Sequence, residues 1–146
     1  MRHTSFLLAA PLCGAMALGC SGSSGATGSG DVTFPAAAFS TMPSSTGALT
    51  IEVRTAPTQP PSQGLDTVEY VITAAGGAPS DGLELTVVPW MPDMGHGAST
   101  TPSVAAMGDG RYVISDVELF MGGKWQLRTT IAGPLEDSVT PTFQIP

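Results

Sequence analysis

The chain has 146 residues, and twelve acidic against five basic side chains give it a formal net charge of −7. Such a surface repels nucleic acid and anionic headgroups, and no basic patch or phosphate-cradling glycine motif offsets it. With two cysteines and two histidines in all, the usual His/Cys zinc site lacks ligands.

The first segment is MRHTSFLLAAPLCGAMALGC. Arg2 and His3 form a short positive region, and Ser5 to Leu18 is an apolar, alanine-rich run. That run falls short of the ~20 apolar residues a membrane-spanning helix needs, so it reads as a signal peptide covering residues 1–19. Its end, Ala17-Leu18-Gly19-Cys20, resembles a bacterial lipobox, which implies that Cys20 becomes the first mature residue and carries lipid. The alternative is an ordinary secretory signal cut at a small residue. Cleavage removes Arg2 and Cys13, so the mature chain is one unit more acidic and keeps no thiol for a disulfide, although the compartment permits one.

Ser21 to Gly30, SGSSGATGSG, has nothing with which to build a core and is expected to be a flexible tether. Ten such residues reach roughly 18 Å r.m.s.. Residues 31–46 are a transition with Pro35 and Pro43, which either adds an edge strand or stays loose. Residues 20–47 together are tether and transition, and residues 48–146 the folded domain.

From Ala48 the pattern has period two. ALTIEVRT sets Leu49, Ile51 and Val53 against Thr50, Glu52 and Arg54; LDTVEYVIT sets Val68, Tyr70 and Ile72 against Glu69, Val71 and Thr73. LELTVVPW sets Leu83, Leu85 and Val87 against Glu84, Thr86 and Val88. TPSVAAM, a Gly-Asp-Gly turn at 108–110 and RYVISDVEL form a hairpin, with Tyr112 and Ile114 on one face. KWQLRTTI sets Trp125, Leu127, Thr129 and Ile131 against Lys124, Gln126, Arg128 and Thr130, and SVTPTFQIP closes the chain. Seven short strands divided by Pro/Gly turns predict an all-β, immunoglobulin-like antiparallel sandwich. Its expected core is Ile51, Val53, Tyr70, Ile72, Leu85, Val87, Trp125 and Leu127. The acidic residues fall singly on outward positions or in turns and read mostly as solvated. Met42 and Met107 read as packing residues.

The chemistry concentrates in PWMPDMGHG, residues 89–97, which holds His96, the only histidine of the mature chain. Asp93 and Ser99 are close to it in sequence, but no strained nucleophile turn is present. Nothing points to a two-carboxylate site either, so the domain reads as a binding module and not an enzyme. Met91, Met94 and His96 lie within six residues. Thioethers suit Cu(I) better than Zn(II), and imidazole suits copper as well. Pro92 and Gly95 shape a turn that brings the three together, and Met121 adds a fourth ligand from the loop before Trp125. Trp90 or Trp125 then covers the ion with a ring face. Against this stands plain packing, since methionine fills irregular gaps in cores. Asp109-Gly110-x-Tyr112 resembles a tyrosine corner, in which the hydroxyl ties back to a loop.

Three stretches carry a family resemblance: Met91-Pro92-Asp93-Met94-Gly95-His96, Gly110-Arg111-Tyr112, and Phe120 to Leu127 with its Met-x-Gly-x-Trp-x-Leu pattern. Together they look like the YtkA-like domain, related to FixH. The resemblance spans about residues 48–146. It implies an extracytoplasmic module, often membrane-anchored, linked by context to copper handling or cytochrome oxidase assembly. FixH-type proteins carry a transmembrane helix where this chain carries a lipidation signal. The expectation is therefore a lipoprotein of the periplasm or outer membrane that binds Cu(I) and takes a protein partner in a copper, oxidase or efflux system. The alternative is a metal-free structural or interaction module that docks such a partner.

Overall fold

The computed structural model describes residues 32–146. The signal peptide, Cys20 and the tether of residues 21–30 lie outside the described residues. Ten strands follow in order: β1 (Ser40–Pro43), β2 (Leu49–Ala56), β3 (Gly64–Ala74), β4 (Glu84–Met91), β5 (His96–Gly97), β6 (Ser103–Gly108), β7 (Arg111–Leu119), β8 (Gly123–Ala132), β9 (Asp137–Val139) and β10 (Thr142–Ile145). No helix occurs among the described residues. One antiparallel sheet runs β1-β2-β3-β7-β6; the other runs β10-β8-β4-β5, with β9 also on β8. Setting β1 aside, β2-β3-β7-β6 facing β10-β8-β4 is the immunoglobulin strand order.

The alternation does what period two requires. Trp125, Leu127, Thr129 and Ile131 are buried along β8, while Lys124, Arg128 and Thr130 are exposed. Of the eight expected core residues, seven are buried and Leu85 is half-buried against the rest. Tyr70 on β3 reaches across the core to Thr129 on β8, its hydroxyl 3.1 Å from Oγ1. That pairing satisfies the one polar atom such a ring brings inside. Burial pushes the phenol above its ordinary range.

Three strands exceed the seven expected. β1 supplies the edge strand that the transition segment left open, pairing Ser40 to Pro43 with Val53 to Thr50. β5 is two residues long, too short to show a period. The closing strand divides at Thr140-Pro141 into β9 and β10, yet both halves keep one register on β8. Pro141 has no N–H to give the ladder, although its carbonyl still accepts from Leu127, 2.9 Å away.

Two expectations need correction. Met107 is 58% exposed and does not pack, because β6 is a sheet edge with little covering it. The acids are also not all solvated: Asp66, Glu69 and Asp137 are buried. Glu69 sits on the central strand between two guanidiniums, with Arg54 Nη1 at 3.1 Å and Arg111 Nε at 2.8 Å. Asp137 ties the segment before β2 to the second sheet, accepting from the Thr46 amide at 3.1 Å and the Ser138 amide at 2.8 Å. Burial raises its carboxyl, but the hydrogen bonds from Ser44, Thr46 and Ser138 together outweigh this and bring it down to about 2.

Asp66 is buried by a bulge. Between the pairs Asp66↔Val117 and Val68↔Ile114, β7 spends one extra residue, and Asp116 takes a left-handed φ of 62°. The bulge switches the phase of β7, so Val117 and Leu119 turn inward after Tyr112 and Ile114. Asp66 is the cross-strand partner of Val117 and is 3% exposed, with Oδ2 unpartnered. Burial pushes its carboxyl up to about 6, against a smaller opposing pull from the Ser62 amide. A folded-state pKa above the unfolded value means that folding favours the protonated acid. The stabilisation is complete below the unfolded value of 3.8 and is lost as pH rises through about 6. Stability, read as melting temperature, is therefore expected to fall between pH 4 and pH 7. Asp66→Asn is expected to flatten that slope; a slope unchanged in the variant would assign it to other groups.

The two ends of the sandwich differ. One end, here the rim, collects the segments 57–63, 92–95 and 120–122 and the terminal Pro146. The far end collects 44–48, 75–83, 109–110 and 133–136. At the rim, Gln63 Nε2 donates to the Pro146 carbonyl at 2.9 Å, and a Cβ on Gly122 would lie 3.0 Å from that carbonyl oxygen.

Candidate metal centre

β4 keeps its alternation past Pro89 to its last residue, Met91. Val87, Pro89 and Met91 are buried, while Thr86 and Val88 are exposed. At Met91 the chain reverses through Pro92-Asp93-Met94-Gly95 into β5, pairing Met91 with His96 and Trp90 with Gly97. The Met91 carbonyl closes the reversal, accepting from the Gly95 amide at 3.0 Å and the Met94 amide at 3.3 Å. Gly95 takes the left-handed φ of 69° that the reversal needs. The stretch is thus a tight hairpin.

The hairpin separates the sequence-predicted ligands. Met91 is 2% exposed and part of the core cluster. Its Cε lies 3.1 Å from where a Cβ on Gly123 would sit, so that glycine makes the room for it. Met94 is 57% exposed at the tip, and His96 is exposed on the edge strand. Met121 is 42% exposed on the neighbouring loop. All four belong to the rim, but only Met94, His96 and Met121 offer their side chains to solvent.

His96 carries a further detail. Nδ1 lies 3.0 Å from the Gly97 carbonyl. A carbonyl only accepts, so Nδ1 is the donor, and in the neutral ring the lone pair is then on Nε2. This is the arrangement that orients a ligating imidazole. Among the described residues, no three His, Cys, Asp or Glu side chains converge, so an ion here would be held largely by thioether sulfur. Two neutral thioethers and one imidazole are a donor set that fits Cu(I).

Neither tryptophan covers this end. Trp125 is 3% exposed in the core, and its indole N–H donates to the Met121 carbonyl at 2.8 Å. That bond anchors the loop presenting Met121. Trp90 lies on the outer face of its sheet, with the Arg128 guanidinium 4.5 Å from its ring centroid. Its face is taken by a cation of the protein itself.

The rim also shows a residue that sequence reasoning passed over. Phe120 is 59% exposed beside Met121. Alternation points the other way: continuing Tyr112 and Ile114 by twos places Phe120 inward, and only the bulge at Asp116 turns it out.

At the far end, Tyr112 does tie back to a loop. Its hydroxyl donates to the Ser80 carbonyl at 2.9 Å and accepts from the Leu83 amide at 3.1 Å. It does so from β7, one strand earlier in immunoglobulin order than the usual tyrosine corner. Gly110 lets the strands close there, with its amide 2.8 Å from Asp81 Oδ1. A Cβ at this position would overlap the Ile72 carbonyl.

No curated protein and no solved structure matches the chain. The family model described as YtkA-like matches residues 46–130, from the strand pair β2–β3 through the Met/His hairpin to most of β8. That span is more than half of the chain and contains the whole candidate centre: the chain belongs to the YtkA-like family.

Proposed function

We propose that this protein is an extracytoplasmic, lipid-anchored binding module, without catalytic activity, that holds Cu(I) at its rim through Met94, His96 and Met121. Met91 supports the hairpin from inside. The observation that carries the reading is the division of the methionines. Packing accounts for Met91, whose side chain is in the core, but not for Met94 and Met121, which leave apolar surface in water at the same end of the sandwich that exposes His96. Thioethers are neutral at every pH, and imidazole must be deprotonated to bind.

The test is a competition titration against a Cu(I) chelator, with wild type beside the triple variant Met94→Ala/His96→Ala/Met121→Ala. Wild type is expected to bind one equivalent, and the variant to lose at least about tenfold in affinity, about 1.4 kcal/mol, at unchanged melting temperature. Equal binding by both proteins, or none by either, would sink the metal reading. In that case the exposed Met94, Phe120 and Met121 support a second reading, a metal-free module that docks a membrane partner such as an oxidase or efflux component.

A further inference from the structure

The rim is also where the described chain begins. Val32 and Thr33 line a recess with Ala56, Pro57 and Thr67, at the upper ends of β2 and β3, and the Gln59 side chain holds the Ala37 carbonyl at 2.9 Å. Val32 stands twelve residues after Cys20, a distance that spans at most about 40 Å fully extended. The ten residues of β8 alone rise about 33 Å. Turning the domain over would consume nearly all of that length in climbing its side.

The side chains are polarised in the same sense. Of the large apolar side chains at least 42% exposed, Leu65, Met94, Phe120 and Met121 belong to the rim, against Met107 alone at the far end and Val88 midway along β4. The far end carries Asp81, Glu84, Asp109 and Glu136, all exposed. The rim has exposed Asp93 and half-buried Glu118, which accepts from the Ser99 amide at 3.2 Å, with Lys124 as a counter-charge. We infer that the domain stands with its rim on the bilayer that holds Cys20, so that Met94, Phe120 and Met121 lie at the lipid interface and the acidic far end points to solvent. The inference rests on the lipid-anchored reading above. It names the occupant of the rim as the lipid surface itself: apolar side chains at the interface add a second signal to the anchor, and separation of the acidic end from headgroups lowers the repulsion.

The experiment uses the full chain purified with its lipid, metal-free, in phosphatidylcholine vesicles. Its mature form has no other free thiol, so a fluorophore is placed on Met94→Cys or, at the far end, on Asp109→Cys. Vesicles with and without nitroxide-bearing lipid are compared. The protein is expected to float with the vesicles. The Met94 label is expected to lose about half its emission or more to the nitroxide, and the Asp109 label little, as interfacial burial of one end requires. Adding Phe120→Asp/Met121→Asp is expected to restore the Met94 label while flotation persists. A chain that does not float overturns the anchored reading and this inference together. A chain that floats with equal quenching at both labels overturns the orientation alone. A Met94 label shielded from aqueous iodide but untouched by the nitroxide places a second copy or a protein on the rim, and overturns it too.

Discussion

Trp125→Ala is expected to destabilise the domain by about 3–5 kcal/mol, the range for deleting a large buried aromatic. Trp125 is 3% exposed, faces Phe143 across the β8–β10 ladder and belongs to the single core cluster. For a domain of about a hundred residues this is a fall of roughly 15–30 °C in melting temperature, and a large share of the 5–15 kcal/mol such domains have. Trp125→Phe separates packing from anchoring. It keeps most of the buried ring and removes the N–H that holds the Met121 carbonyl. Its cost in stability is expected to be about 1–2 kcal/mol. Its effect on Cu(I) affinity is expected to be visible even though no donor atom is touched, because the loop presenting Met121 loses its tie. Thermal melts followed by circular dichroism, with the chelator titration beside them, check both; a Trp125→Ala melt within a few degrees of wild type would contradict the packing described.

The second large effect belongs to Glu69. Glu69→Ala is expected to cost about 3 kcal/mol, because removing one partner of a buried ion pair strands the other. Arg54 bears most of the penalty. Its side chain is 21% exposed and its Nε already lacks a partner, so losing Glu69 leaves it only the Nη2 pair with Glu52 at 2.9 Å. Arg111, 48% exposed, can swing into water. The double variant Glu69→Leu/Arg54→Leu is therefore expected to recover to within about 1 kcal/mol of wild type, since apolar replacement of a buried pair is often neutral. Urea midpoints of the three proteins decide the matter. A single variant as stable as wild type would mean that the carboxylate contributes nothing where it sits.

Much of this fold is legible from the amino-acid pattern. β2, β3 and β8 alternate for eight residues or more, and a strand with one wet face has no other way to bury Ile51, Tyr70 or Leu127. What is not legible depends on pairing. β5 exists only because Met91 meets His96. The phase change in β7 comes from a bulge at Asp116, and that bulge is what buries Asp66 beside Val117. Glu69 reads as a solvated outward residue until β2 and β7 bring Arg54 and Arg111 across it.

The candidate site divides in the same way. The cluster of Met91, Met94 and His96 is visible as a string, and its hairpin follows from Pro92 and Gly95. Which sulfur faces the core is a question of phase. Continuing Leu85 and Val87 by twos reaches Pro89 and Met91, so the inward position of Met91 is legible once the strand is carried past Trp90. The pairing of Trp90 with Arg128 was beyond reach, because it lies diagonally across a register that only the assembled sheet defines.

The central claim is that Met94, Met121 and His96 bind Cu(I) while Met91 packs. X-ray absorption at the copper edge, on the Cu(I)-loaded full chain, tests it most directly by counting the scatterers around the ion. Two sulfurs and one nitrogen are expected, unchanged in Met91→Leu and reduced by one sulfur in Met94→Leu or Met121→Leu. A third sulfur that disappears in Met91→Leu, or a first shell without sulfur, would contradict it.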